Sequence, residues 1–250
     1  MINRKNKKRD GGRKLDLVTN ENMPFAYVEA YKSLRTNLKF IMATENINSI
    51  AITSALQNEG KSNVSVNLAV TMAEEGKHVL IVDGDLRKST LQKFFKLRGI
   101  KHGITSYLAG ECGLDEAIVH IDESNVDVLP VGTVPPNPTE LLAMPRMKKL
   151  LDRLKQIYDC VIVDTPPINV VTDAAIIGNM VDGTVLVVRA NYCPAEIVAA
   201  AKKKLEDVNI RLLGAILTRL DLRETYGRGS YYYSYYYKYH SYKNYGYKYE

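Results

Sequence analysis

The runs at residues 160–163, 183–188 and 212–217 are rich in β-branched and aliphatic residues and show no polar alternation. Strands of that composition are covered on both faces, as in the parallel sheets of α/β proteins. Ser49–Ser54, residues 78–82 and Val126–Leu129 read as further strands. Helical patterns fill the gaps: residues 62–75 ended by Gly76, a capped start at Asn137-Pro-Thr-Glu140, a restart at Pro145 running to about Tyr158, residues 173–180, and Ala195–Asp207. An amphipathic helix over residues 25–43 precedes the first strand. The alternation predicts a single α/β domain, a parallel sheet flanked by helices.

That domain is expected over residues 21–222, between an arm at 1–20 and a tail at 223–250. Within residues 1–14, Arg4, Lys5, Lys7, Lys8, Arg9, Arg13 and Lys14 against Asp10 account for the whole net charge of +6. The basicity is therefore an arm and not a face. It suits an anionic membrane surface, at ~1 kcal/mol per basic residue, an acidic partner segment, or plain solvation. Nucleic-acid binding is disfavoured, because it calls for basic residues on the body as well. No apolar segment follows the arm as in a secretory signal, and no run of eighteen apolar residues occurs, so a cytoplasmic chain is expected. Cys112, Cys160 and Cys193 are odd in number and lack a C-x-x-C pair, which disfavours disulfides and zinc; Cys160 reads as buried packing.

The end of the chain has a different composition. Tyr226, Tyr231, Tyr232, Tyr233, Tyr235, Tyr236, Tyr237, Tyr239, Tyr242, Tyr245, Tyr247 and Tyr249 stand among the last twenty-five residues, which contain no Val, Ile, Leu, Met or Phe. Such a segment has nothing to bury and reads as a disordered tail of phenols. Taken alone it is equally a low-complexity end that associates through aromatic stacking.

The segment from Ser54 through Gly60-Lys61-Ser62 joins a strand to a helix, so that backbone N–H groups and the positive end of a helix dipole converge on one spot. Lys61 would reach phosphate oxygens and Ser62 would ligate Mg²⁺. The full G-x-x-x-x-G-K-[ST] pattern is not met, because Ala55 holds the place of the first glycine. Asp83, Asp85 and Arg87 follow one strand and Asp164 ends another, at sheet ends that share an edge with the Gly60 loop. Three carboxylates there would repel one another without a divalent cation. Arg87 supports charge on a transferring phosphoryl group or pairs with Asp85. Together these residues indicate a P-loop NTPase-type domain.

At this point the chain resembles the bacterial tyrosine kinases of capsule and exopolysaccharide synthesis, in the split form where a cytoplasmic kinase is separate from its membrane activator. The resemblance covers nearly the whole chain. The family's P-G-E-G-K-S loop is matched by Gln57, Asn58, Glu59, Gly60, Lys61 and Ser62. Its D-x-D-x-R motif is matched by Asp83, Asp85 and Arg87, its Walker B aspartate by Asp164, and its tyrosine cluster by the tail. Asn58 stands where the family has glycine, and asparagine is the residue other than glycine most tolerant of positive φ. A motif similar to the family's ring-forming E-x-x-R-x-x-R is Glu29, Lys32 and Arg35, where Lys32 lacks the guanidinium fork. Thr218 lies where relatives often place an adenine-contacting asparagine.

The resemblance implies ATP with Mg²⁺ on residues 57–63, Asn63 included, with Lys61 on the phosphates. It places the metal on Ser62 and Asp85, with Asp164 behind them. Asp83 is then the base that takes the phenolic proton, with the exchange of roles between Asp83 and Asp85 as the alternative. The tail tyrosines are the expected substrates, receiving the phosphoryl group from a neighbouring subunit of a homo-oligomeric ring. Their phosphorylation would make the tail acidic and loosen the assembly. A transmembrane activator of the polysaccharide co-polymerase kind, a cognate tyrosine phosphatase and cytosolic protein substrates are the expected partners, with recruitment to the inner face of the membrane. Two other readings stand beside this one. A partitioning or division-site switch ATPase would carry a second lysine early in the loop, where this chain has Leu56. A non-enzymatic adaptor would tolerate Ala55, Gln57 and Asn58.

Overall fold

The computed structural model describes residues 17–97 and 99–220. Residues 1–16 and the tyrosine tail lie outside the described residues, together with the readings made on them. In chain order the elements are α1 (Phe25–Glu45), β1 (Ser49–Ser54), α2 (Lys61–Ala73), β2 (Val79–Asp83), α3 (Leu91–Phe94), α4 (Ile104–Ala109), α5 (Leu114–Ala117) and β3 (Val119–Ile121). They continue with β4 (Val126–Leu129), α6 (Pro138–Leu142), α7 (Pro145–Ile157), β5 (Cys160–Asp164), α8 (Asp173–Gly178), β6 (Gly183–Arg189), α9 (Ala195–Asp207) and β7 (Leu212–Thr218).

The strands form one sheet in the order β3-β4-β2-β5-β1-β6-β7. Every pairing is parallel except β3 with β4, which run antiparallel with Val119 opposite Val128 and Ile121 opposite Val126. The sequence predicts a purely parallel sheet and does not foresee β3. Three residues with an exposed histidine in the middle are too short and too polar to read as a covered strand.

Side chains alternate across each strand, so successive residues feed two different cores. Val79 and Ile81 of β2 pack toward α1 and α2 with Ile50, Ile52, Leu68 and Ile162. Leu80 and Val82 point the other way, to Ile104 of α4, Ile177 of α8 and the buried stripe Met147, Leu150, Leu151 and Leu154 of α7. That stripe has the i, i+3, i+4, i+7 spacing of an amphipathic helix. Pro138 and Pro145 each stand at a helix start, as the sequence indicates. Asn137 does not cap the backbone; its side-chain amide donates to Glu140 at 2.6 Å. Cys160 is buried on β5, and burial pushes its thiol up to about 12. Packing begins before the expected domain start: Val18 is buried, and its N–H donates to Asn67 Oδ1 at 2.8 Å.

Asp182, just before β6, ties the lower edge of the sheet together. Its carboxylate accepts the N–H groups of Asn48 and Ser49 at 3.0 and 2.9 Å, the Ser49 hydroxyl at 2.9 Å and Lys155 Nζ at 3.0 Å. Burial alone would raise the Asp182 carboxyl, yet the bonds from Lys155, Asn48 and Ser49 outweigh it and hold the group below its ordinary value. A depressed folded-state pKa gives stability that is present above the unfolded value of about 4 and is lost as pH falls through the lower, folded one. Asp182→Asn is therefore expected to cost about 2 kcal/mol at pH 7, with the gap to wild type closing as pH falls below about 4. Denaturant melts across that range check it, and a gap independent of pH would contradict it.

Candidate active site

The loop between β1 and α2 is held by its own glutamate. Glu59 is 1% exposed; its Oε2 accepts the Leu56 N–H at 2.6 Å and its Oε1 accepts the Arg189 N–H at 3.3 Å. The Thr218 hydroxyl, at the end of β7, donates to the Glu59 carbonyl at 2.7 Å. Two strand ends therefore brace the loop. Asn58 takes φ +67°, the positive value expected of the residue that stands for glycine, and Gly60 takes φ +100°. Ala55 is fully buried among Ile168, Ala174 and Leu186, so its methyl group serves the core and the loop does without glycine there. α2 starts at Lys61 with no side chain capping it, and its first N–H groups face the loop.

The carboxylates meet beside this loop because of strand register. Asp83 and Asp164 are directly opposite in the β2–β5 pair, and Asp164 is opposite Ile52 of β1. The Gly84 N–H donates to the Asp164 carbonyl at 2.8 Å, which extends the pairing one residue past β2. Asp83 is fully buried; its Oδ2 accepts the Ser89 hydroxyl at 2.5 Å, and its Oδ1 is buried without a hydrogen-bond partner among the described residues. Asp164 is 1% exposed and accepts the Ser65 hydroxyl at 3.2 Å. Asp85 is half-buried and accepts the Lys88 N–H at 3.0 Å.

All three resist ionisation as they stand. Burial raises Asp83 well above the ordinary carboxylate range, and the charges of Asp164 and Asp85 add to this against the Ser89 bond. Burial also raises Asp85, although the Lys88 N–H and Lys61 oppose it. Burial pushes Asp164 up to about 6 despite Lys61, Ser62 and Ser65. Lys61 bears on Asp85 and Asp164, and the buried Oδ1 of Asp83 has unused hydrogen-bonding capacity. Among the described residues no three acidic, histidine or cysteine side chains form a ready-made metal cage, so these oxygens suit a hard divalent cation only as one carried in with phosphate, which supplies the remaining ligands.

Other sequence readings are redirected. Arg87 does not pair with Asp85. Its Nε donates to the fully buried Asp173 at 3.0 Å and its Nη2 to the Thr139 hydroxyl at 2.7 Å, while Thr139 also donates to Asp173 at 2.7 Å. The Asn63 side chain faces α1 and not the phosphate loop, accepting the hydroxyls of Tyr27 and Tyr31 at 3.0 and 2.8 Å. One helical residue past Ser62 turns the side chain by about 100°, onto the face that α1 covers. The Glu59 carboxylate is likewise turned inward, so only its backbone is left for a ligand. On α1, Lys32 pairs with Glu29 at 2.9 Å, and Arg35 holds α2 through Glu75 at 2.8 Å and the Thr71 carbonyl at 2.6 Å. Five side chains at the site carry no signal in the sequence pattern: Ser65, Ser89, Thr90, Thr139 and Asp173. The run Asn137-Pro-Thr-Glu140 drew attention only as a helix start.

A family model described as an AAA domain matches residues 47–211. The tyrosine-protein kinase YwqD of Bacillus subtilis is 42% identical over 201 residues, 80% of this chain and 84% of that protein. The kinase domain of the Escherichia coli tyrosine kinase ETK superposes with a TM-score of 0.73 at 38% identity, covering 78% of this chain and 77% of that one. The septum site-determining protein MinD of Pyrococcus horikoshii, complexed with Mg-ADP, is more distant, with a TM-score of 0.59 at 28% identity over 68% of this chain and 69% of that one. The likeness is therefore stronger on the kinase side of the fold than on the switch-ATPase side, and the chain belongs to the bacterial tyrosine-protein kinases.

Proposed function

We propose that this chain transfers the γ-phosphoryl group of ATP to tyrosines of its own tail, from Tyr226 to Tyr249, between subunits, and that it regulates capsular or extracellular polysaccharide synthesis. The observation that supports this most is the juxtaposition of Asp83 and Asp164 at neighbouring strand ends, beside a loop whose Lys61 opens α2. Lys61 and the first N–H groups of α2 would hold the phosphates. Ser62 and Asp85, with Asp164 behind them, would hold Mg²⁺, which supplies charge neutralisation on the transferring group.

Asp83 accepts the phenolic proton in this reading. Phenol has a pKa near ~10, so a carboxylate that takes the proton late in a loose transition state favours transfer. The Ser89 hydroxyl bonded to Asp83 Oδ2 would give way to the phenol for the proton to pass. Arg87, held by Asp173 and Thr139, has its charge anchored within the site and is assigned to the phosphoryl oxygens. A tail of about 20 residues at ~3.3 Å each stretches far enough to reach a neighbour's site, and tethering supplies an effective concentration of order mM.

Among the described residues no helix is long and apolar enough to cross a membrane. A transmembrane activator with a cytosolic segment is the partner we assign for recruitment to the membrane face, and a cognate phosphatase is assigned to reset the tail. Glu29, Lys32 and Arg35 are assigned to contact the next subunit of a ring; within one chain Lys32 pairs with Glu29 and Arg35 with Glu75, and ring assembly would exchange these pairings.

Incubation of the purified chain with Mg·ATP, alone and with the cytosolic segment of a candidate activator, tests the function. Phosphotyrosine confined to residues 226–249 is expected. Phosphate release without phosphotyrosine would favour the switch ATPase, and neither product would favour the adaptor.

A further inference from the structure

Residues 89–91 form a clip whose three side chains reach three different parts of the site. The Ser89 hydroxyl donates to Asp83 Oδ2 at 2.5 Å, and the Thr90 hydroxyl donates to Ser62 Oγ at 2.7 Å. Leu91 is fully buried in the core that packs between the sheet and α1 and α2. Leu91 anchors the start of α3, and the two hydroxyls then span from the end of β2 to the first turn of α2.

The hydrogen-bonding capacity of Ser62 gives this contact its meaning. A serine oxygen has one proton to donate and two lone pairs. The Ser62 hydroxyl interacts with Asp164, and Thr90 fills one lone pair. The Thr90 bond at 2.7 Å thus occupies one lone pair and restrains the Ser62 rotamer, which limits the directions open to the other. Without Thr90 the Ser62 side chain keeps the Asp164 contact but has two equivalent lone pairs and a freer rotamer.

We propose that Thr90 is a positioning residue for the Ser62 hydroxyl, orienting it toward the cation that accompanies the nucleotide, with Ser89 and Leu91 fixing Thr90 in place. This rests on the reading of residues 57–62 as a Mg·nucleotide site. Partners behind a metal ligand govern affinity for the metal more than affinity for the rest of the ligand, typically by ~10-fold or more. The consequence belongs to Mg²⁺ and not to the nucleotide as such.

The test is ADP binding to the full chain by calorimetry, with Mg²⁺ and with EDTA, for wild type, Thr90→Val and Thr90→Ser. Valine keeps the shape and removes the donor. The expected result is that Thr90→Val reduces the Mg²⁺ enhancement of ADP affinity by roughly tenfold, leaves affinity in EDTA within about twofold, and is rescued by Thr90→Ser. An unchanged Mg²⁺ enhancement in Thr90→Val overturns the proposal. So does an equal loss with and without Mg²⁺, which would mark general damage, and so does a Thr90→Ser variant that behaves like valine. Wild type that binds no ADP in Mg²⁺ would instead sink the nucleotide-site reading on which the proposal stands.

Discussion

Lys61→Met is expected to lower tyrosine phosphorylation by about two to three orders of magnitude while leaving the melting temperature within a few degrees of wild type. Lys61 is the first residue of α2, and its charge bears on Asp85 and Asp164. Methionine has a similar length and good helix propensity, so the fold keeps its helix start and loses only the ammonium group. Asp85 and Asp164, which already resist ionisation, would lose the Lys61 charge at the point where phosphates must enter. The defect is therefore expected in both binding and transfer. Mixed with active enzyme, Lys61→Met chains should acquire phosphotyrosine on their tails if transfer crosses between subunits. Full activity in the isolated variant, measured by anti-phosphotyrosine signal, would contradict the role assigned to the loop.

Gly84→Ala is the second large effect, and it acts through the fold. Gly84 lies between Asp83 and Asp85 and donates its N–H to the Asp164 carbonyl. A Cβ at this position would meet Ile177 Cδ1 at 2.8 Å, the Asp164 carbonyl oxygen at 2.9 Å and Val163 Cγ1 at 3.0 Å. The isoleucine can shift, but the carbonyl belongs to the neighbouring strand. Relief requires β2 and β5 to move apart where they hold Asp83 opposite Asp164. A loss of about 2–3 kcal/mol in stability is expected from overpacking. Activity should fall further than the unfolded fraction explains, because the surviving folded molecules have a displaced carboxylate pair. Thermal melts with activity measured well below the transition separate the two losses. Wild-type stability and activity in Gly84→Ala would show that the closeness of these strand ends matters neither to the fold nor to the site.

The sheet was legible because its strands are short covered runs, and Ile50, Ile52, Leu80, Ile81 and Ile162 are buried as such runs require. The positions of Asp83 and Asp164 followed from the same signal, since a carboxylate that directly ends a covered strand must lie at the sheet's carboxyl edge. Side-chain direction was less legible. Asn63 follows Ser62 directly, yet a helical turn aims it at Tyr27 and Tyr31, 36 and 32 residues earlier in the chain. Arg87 has Asp85 two residues away and instead bonds Asp173, 86 residues further on. Ser89 and Thr90 carry no pattern of their own, because their importance comes entirely from where α3 begins relative to Asp83 and Ser62. Periodicity reports which face of an element is apolar. It does not report which polar partner a distant element brings to that face.

A titration of the purified chain with ADP by isothermal calorimetry, with Mg²⁺ in excess, bears on all of this at once. Uptake of one nucleotide per chain, abolished in Lys61→Met, is the predicted result. Absence of any saturable heat up to millimolar ADP would contradict the assignment of the Gly60 loop and the neighbouring aspartates as a nucleotide site.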